Sequence, residues 1–350
     1  MSLERNWKLP VIAIAALILA VAAAGFVRMR PAEVATAGVD VVRLSNSISD
    51  GAHLADELKL FEKQHIRIAW TGKQAHGPAA IVSLIAGQND AAGSISTAMI
   101  IARTHGSKLK IVASQTISTQ EAPLFRYLVK DGSSITGKPE DFVGKKIVAS
   151  PTTITWYPLV VYLKRAGLDY RKMEFVSLPS PLATEQALRQ GSVDVIAGSE
   201  LAPPASKLLA EGGVHAVPGV TDYDVLGIEQ IGGWAMREDY IAKHPDVVRR
   251  FVAAIAEAYQ WGNAHPDQAQ EILNRRNEIP RDYWQYQKHW RRAPATALVD
   301  DASIRKWIAI LEQFGQIQPG SVKPEDVYTN QFNALASESR EQSITTRTSR

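Results

Sequence analysis

The chain contains no cysteine. That excludes disulfides, thiolate metal sites and Cys nucleophiles, and it removes any lipoprotein anchor, which needs a Cys just after the signal. An exported chain without disulfides must rely on a large enough core, and 350 residues suffice for two ordinary domains. The motifs of several enzyme classes are missing too. Between Gly137 and Gly144 the gap is six residues rather than the four of a phosphate loop, and Lys146 stands where Ser or Thr is required. No G-x-G-x-x-G opens a helix. The eight His residues form no H-E-x-x-H and no pair at i,i+4, so no metal site or cofactor is expected. Residues 93–97 (GSIST) lack the second Gly of a nucleophile elbow. No residue constellation supports an enzyme.

Charge of one sign is also lacking. Lys and Arg number 39 and Asp and Glu 36. Residues 1–30 hold four of the basic residues and one Glu, which leaves 35 of each sign. A formally neutral mature chain gives no argument for nucleic-acid binding, which wants a basic face, and no nucleic acid partner is expected. Apolar residues make up 45% and charged residues 21%, as in a soluble globular protein.

The first thirty residues differ from the rest. Arg5 and Lys8 precede an apolar run over residues 9–27, and Arg28 and Arg30 follow it. A basic front with an Ala-rich run predicts a secretory signal cleaved at or near Ala24, after Ala22-Ala23-Ala24. Ala35-Thr36-Ala37 offers a second site. The run is nineteen residues, close to the roughly 20 that span a bilayer, so an uncleaved anchor is the alternative.

One pattern occurs twice: LIAGQNDAAGS at 84–94 and LRQGSVDVIAGS at 188–199. A helix-like stretch ends at a Gly suited to a left-handed cap, an Asp opens a short apolar strand, and Gly-Ser releases the chain at the strand's carboxyl end. Around the first copy, strands are predicted at 39–44, 66–70, 91–93 and 110–114, with helices at 52–64, 79–86 and 98–104. Around the second, strands fall at 146–149, 173–178 and 193–197, with helices at 156–166 and 183–189. The order predicts an α/β protein of two doubly wound, mostly parallel lobes. Residues 115–126 and 227–234 read as two crossing segments. Lobe 1 then takes 39–118 and 231–335, and lobe 2 takes 119–230. Helices are expected at 239–261, with Tyr240, Val247, Val248, Phe251, Ile255, Ala258 and Tyr259 on one stripe, and at 266–274, 281–291 and 302–314. The Ser/Thr/Arg/Glu-rich residues 336–350 predict a disordered tail.

Candidate ligand residues sit in loops at predicted strand carboxyl ends. From the first lobe these are Asn46, Ser47, His53, Lys73, His76, Ser94, Ser96 and Thr97, with Gln115 heading the crossing. The hydroxyls at 94–97 can cap a helix and also bind an anion beside its free N–H groups. SPTTIT at 150–155 has more hydroxyls than capping needs, so Ser150, Thr152, Thr153 and Thr155 predict an anion pocket in the second lobe. Trp156 and Trp234 are candidate pocket walls. Tyr283, Tyr286 and Trp290 share a helix face and read as core packing.

With those segments placed, the chain resembles the periplasmic substrate-binding proteins of ABC importers for sulfonates, taurine, nitrate and thiamine precursors. The resemblance covers residues 39–335. It rests on GPAAIVSLIAGQNDAA (77–92), FVGKKIVASPTTITWYPLVVYLKRAGLD (142–169), ALRQGSVDVIAG (187–198) and REDYIAKHPDVVRRFVAAIAEAYQW (237–261). It implies a type II periplasmic binding protein architecture, a monomer that traps a small anion between its lobes, an ABC permease as partner, and no catalysis. Many members carry an aromatic-acid-Pro triplet after the second Asp strand. Here the matching residues are Ser199-Glu200-Leu201, which keep a carboxylate, lose the ring and imply a roomier pocket. Glu200 is a candidate for an amine or hydroxyl of the ligand. The related pyrimidine-synthase branch uses clustered Cys, which this chain lacks. The competing expectation is a membrane-held sensor or accessory subunit.

Overall fold

A computed structural model describes residues 38–46, 50–73, 77–150, 153–178, 180–199, 203–286 and 293–336. The leader, Ser47, His76, Thr152, Glu200 and residues 337–350 lie outside the described residues, as does the side chain of Lys73. Among the described residues no helix is long and apolar enough to cross a membrane.

Ten strands form two five-stranded sheets. They are β1 (Asp40–Asn46), β2 (Ile66–Lys73), β3 (Ala91–Ile95), β4 (Leu109–Ser114), β5 (Phe125–Lys130), β6 (Lys146–Val148), β7 (Glu174–Val176), β8 (Val195–Ser199), β9 (Val214–Thr221) and β10 (Gly232–Arg237). The first sheet runs β2-β1-β3-β10-β4 and the second β7-β6-β8-β5-β9. Position by position these are the same order. The twice-written sequence pattern supplies β3 and β8, the central strand of each sheet.

The pattern's residues do the same work in both copies. Gly87 and Gly191 take φ of 72° and 73°, a conformation only Gly adopts freely. Each closes a six-to-one turn, through Gln88 N–H to the Ser83 carbonyl and Ser192 N–H to the Ala187 carbonyl. The Asp that follows clamps the neighbouring strand from both sides. Asp90 N–H donates to the Arg43 carbonyl at 2.9 Å while its carboxylate accepts from the Arg43 N–H at 2.9 Å. Asp194 N–H donates to the Lys146 carbonyl at 2.9 Å and its carboxylate accepts from the Lys146 N–H at 2.8 Å. The Asp thus starts a strand and fixes its register to β1 or β6.

The sheets are not purely parallel. β10 is inserted antiparallel between β3 and β4, and β5 between β8 and β9. Both follow a crossing segment. A chain arriving from the opposite lobe enters at the carboxyl ends of the parallel strands, so it must run against them. The segment at 227–234 therefore ends as a sheet strand. Strand β9 and the helix Pro203–Glu211 were not expected from the sequence.

Helix ends differ where local residues intervene. The expected helix at 52–64 divides into Asp50–Glu57 and Leu60–Lys63 because Lys59 adopts φ 57°, which lets Phe61 stack on Phe251 at 5.4 Å. The helix at 239–261 divides at Pro245, and Pro245–Ala264 buries Val247, Val248, Phe251, Ile255, Ala258 and Tyr259 as its stripe requires. Of the helix expected at 281–291, Arg281–Tyr286 form a 3-10 helix, and 287–291, Trp290 among them, lie outside the described residues. Two apolar clusters cover the sheets' outer faces, one per lobe. A third joins Ala92, Ile111 and Ala235 of the first sheet to Tyr127, Ile147 and Val195 of the second.

Candidate functional site

At the carboxyl end of the first sheet, polar side chains are packed where no solvent reaches. Ser94 is the penultimate residue of β3, Ser96 and Thr97 start the helix Ser96–Thr104, Ser114 ends β4 and Gln115 follows it; each is at most 4% exposed. Ser94 and Ser114 flank Gly233 in register on either side of β10. The approach of the return crossing is close: a Cβ on Gly232 would lie 2.6 Å from the Ser94 carbonyl oxygen, so only Gly fits there. The hydroxyls of Ser94, Ser96 and Ser114 have no hydrogen-bond partner. The helix carries no side-chain cap, and the Ser96 N–H is taken by the Ile231 carbonyl at 2.8 Å. The next N–H groups of the first turn have no intrahelical acceptor. Buried donors without acceptors, at a positive helix end, are of the kind that can receive an anion.

Asn46 ends β1 beside this place, and His53 sits in the helix Asp50–Glu57, 1% exposed, its ring 4.8 Å from Trp70. Its Nδ1 lacks a partner. Burial, seconded by the Arg276 guanidinium, pulls the His53 pKa down to about 4 against the opposing Asp56 and Asn277. Asp50, hydrogen-bonded by Asn277 at 3.1 Å, is pushed the other way by burial. The imidazole is therefore neutral near pH 7 and offers a hydrogen bond rather than a charge.

A pH dependence follows. A His with a depressed folded pKa contributes stability that is full above the unfolded value of 6.5 and is lost as pH falls toward about 4. The span corresponds to roughly 3 kcal/mol. Asp50, with a raised pKa, gains on protonation in the same acid range and offsets part of the loss. Urea unfolding of the wild type and His53→Gln at pH 7 and 4.5 should show a smaller drop in the variant. Equal drops would remove His53 from the acid response.

The second-lobe site differs from the expectation. Thr153 donates its hydroxyl proton to the Ser150 carbonyl at 2.6 Å, and Thr155 then donates to the Thr153 oxygen at 2.8 Å. Ser150 pairs with Ser177 at 2.6 Å. The helix Tyr157–Arg165 has its first N–H groups occupied as well. Tyr157 donates to the Thr153 carbonyl, Pro158 has none to give, Leu159 donates to the Tyr127 hydroxyl at 3.0 Å, and Val160 donates to the Trp156 carbonyl. The hydroxyls in excess of capping tie the loop together, so Thr153 and Thr155 have no proton left for an anion.

Both tryptophans lie in packed interior. Trp234 is fully buried, donates to Tyr259 at 3.0 Å and stands edge-on to Phe251. Trp156 is 6% exposed among Tyr157, Tyr170, Phe175 and Phe314. The structure thus brings Asn46, Ser94, Ser96, Thr97 and Gln115 to one sheet's end and Ser150, Thr153 and Thr155 to the other's, while the neighbouring Trp156 and Trp234 turn their side chains into packed interior. Two residues were missed. Ser114 carries an orphaned hydroxyl; its place as last residue of the strand at 110–114 was the signal. Arg126 stands half-buried at the cleft end of β5, paired with Gly198 and Thr221, a charge at the mouth of an apolar strand.

The family described as NMT1/THI5 like matches residues 49–269. The taurine-binding periplasmic protein of Escherichia coli (strain K12) is 30% identical over 171 residues, which are 46% of this chain and 50% of that protein. The chain thus spans about half the length of the curated relative it matches. The crystal structure of the periplasmic aliphatic sulphonate binding protein SsuA of Escherichia coli superposes with a TM-score of 0.69 at 20% identity, over 84% of this chain and 99% of that one. The alkanesulfonate-binding protein SsuA of Xanthomonas axonopodis pv. citri, bound to MOPS, gives 0.66 at 19% identity, over 84% and 99%. At these identities the structural likeness establishes the periplasmic binding protein fold.

Proposed function

Since the chain belongs to the NMT1/THI5-like family, we propose that it is an exported solute-binding protein that closes two lobes on a small organic anion and presents it to the permease of an ABC importer. The observation that carries this reading is the set of buried, unpartnered hydroxyls of Ser94, Ser96 and Ser114 at a helix start. Leaving such groups unpaired costs stability, and a ligand that pairs them recovers it. The anionic head sits there, with Asn46, His53 and Gln115 beside it. Arg126 is its counterpart in lobe 2, residues 119–230, opposite lobe 1 at 39–118 and 231–335, and Ser47 and Glu200 remain sequence candidates outside the described residues. A sulfonate-like head is favoured by the taurine-binding relative and by neutral donors that ask for no proton in return. The absent ring at Ser199-Glu200-Leu201 leaves room for a larger organic part. No turnover is expected.

A ligand that binds only the folded state adds about 2.7 kcal/mol at a hundred times Kd. Thermal-shift screening with sulfonates, carboxylates, nitrate and heterocycles should raise the melting temperature for anions and leave it unchanged for uncharged isosteres. A response to heterocycles alone, or to nothing, would refute the anion reading. The nineteen-residue apolar run at 9–27 supports a second reading, a binding module kept at the membrane. Mass spectrometry of the mature N-terminus separates the two: a start near Gly25 fits the first, and Met1 in washed membranes the second.

A further inference from the structure

Two crossing segments join the lobes, and they pair with each other. Ile117 and Gln230 form an antiparallel bridge, flanked by Ile231 N–H to the Thr116 carbonyl at 2.8 Å and Ser118 N–H to the Glu229 carbonyl at 2.7 Å. A third element grips this ladder. Gln230 is 2% exposed, and every polar group it has beyond the ladder goes to one place or to its own strand. Its N–H donates to Ser303 Oγ at 3.1 Å, its Oε1 accepts from Asp300 N–H at 2.6 Å, and its carbonyl accepts from Trp307 Nε1 at 3.1 Å. Its Nε2 donates to the Gly232 carbonyl at 3.1 Å. Asp300 caps the helix Asp301–Gln313 through Ser303 N–H at 2.8 Å, so two of the three contacts reach the start of that helix and the third, from Trp307, its second turn.

The helix then reaches the second lobe. Trp307 stands edge-on to Tyr157 at 6.1 Å. Phe314, just past the helix end, fits between Trp156 at 5.5 Å and Tyr170 at 5.6 Å. Lys164 Nζ lies 5.0 Å over the Phe314 ring and donates to the Gln313 carbonyl at 3.4 Å. Lys306 donates to the Gly227 carbonyl. On its other side the helix packs on Ser96–Thr104, whose start is the candidate anion site.

We propose that the helix Asp301–Gln313, ending in Phe314, is a third mechanical connection between the lobes, and that Gln230 is the positioning residue tying it to the return crossing. Without it, two short strands alone would set the lobe angle, and strands of that length bend with little cost. With it, the lobes turn about an aromatic pivot beside Trp156 and Tyr157, and the angular range is limited by how far Phe314 slides. Those side chains therefore serve the lobe angle.

The chain's lack of Cys makes the test direct. Glu62→Cys and Gln186→Cys, both exposed and in different lobes, carry spin labels whose separation is measured in the ligand-free protein. One narrow distribution is expected. Phe314→Ala and Gln230→Met should each add a second population, since losing one or two buried interactions shifts a two-state ratio by roughly tenfold. Gln230→Glu, which keeps the Oε1 acceptor, replaces Gln230→Met if that variant does not fold. Phe314→Leu should restore the single population. Leu209→Ala, in the outer core of lobe 2, lowers the melting temperature and leaves the distribution narrow. An unchanged distribution in Phe314→Ala and the Gln230 variant, or equal broadening in Leu209→Ala, overturns the proposal. No ligand enters this experiment, so its failure is independent of the proposed function.

Discussion

The double variant Ser94→Ala/Ser96→Ala is expected to lose anion binding by roughly a hundredfold or more while the ligand-free protein melts at the same temperature or slightly higher. The two effects have one cause. Neither hydroxyl has a partner in the folded chain, so removing it breaks no hydrogen bond and relieves the burial of an unsatisfied polar group. Each hydrogen bond to a charged ligand contributes about 1.5–3 kcal/mol, or about one to two powers of ten in Kd. Hydroxyls that merely support the fold would give the opposite pair of results: a lower melting temperature and unchanged affinity. Calorimetric titration beside a melting curve distinguishes the cases. Ser114→Ala, two strands away, tests whether the site extends across β10.

Asp90→Ala is expected to cost about 3 kcal/mol of stability, and Asp194→Ala about 1. The two residues make the same backbone clamp, so burial decides the difference. Asp90 is 5% exposed and also binds the Arg43 guanidinium through Nε at 2.9 Å and Nη2 at 2.6 Å. Removing it takes the acceptor from the Arg43 N–H and a carboxylate partner from a partly buried guanidinium. Asp194 is solvent-exposed, so water can satisfy the Lys146 N–H. Asp90→Asn keeps a neutral acceptor for the Arg43 N–H and should recover part of the loss. Urea midpoints at constant slope measure all three. Equal costs for Asp90→Ala and Asp194→Ala would show that the Arg43 pair contributes nothing beyond the backbone clamp.

The fold was legible where residues write local rules. The Gly–polar–Asp–apolar–Gly-Ser pattern carries a left-handed cap, a strand start and a strand exit within twelve residues, and all three are there in both copies. The stripe of Pro245–Ala264 is legible for the same reason, because its spacing is its packing. The inserted strands were not. Nothing in GGWAMR or FRYLVK gives strand direction, which follows from where the crossing enters the sheet. The candidate site is legible in part. A strand exit followed by a helix start points to Ser94, Ser96 and Thr97, which come together at one sheet end. The same signal with a surplus of hydroxyls points to SPTTIT, but there the Thr153 and Thr155 protons go to the Ser150 carbonyl and the Thr153 oxygen, a choice of acceptor that the sequence does not show. Trp156 and Trp234 show the same limit: a ring in a loop or crossing segment can face the cleft or the core, and only packing decides.

If two lobes of matching design close on an anion held at the Ser96–Thr104 helix start, the protein must contract when it binds. Small-angle scattering with a saturating anion identified by thermal shift measures this. The radius of gyration should be smaller with ligand than without, with no contraction in Ser94→Ala/Ser96→Ala at the same ligand concentration. An identical profile with and without saturating ligand in the wild type, or full contraction in the double variant, would contradict closure on an anion held there.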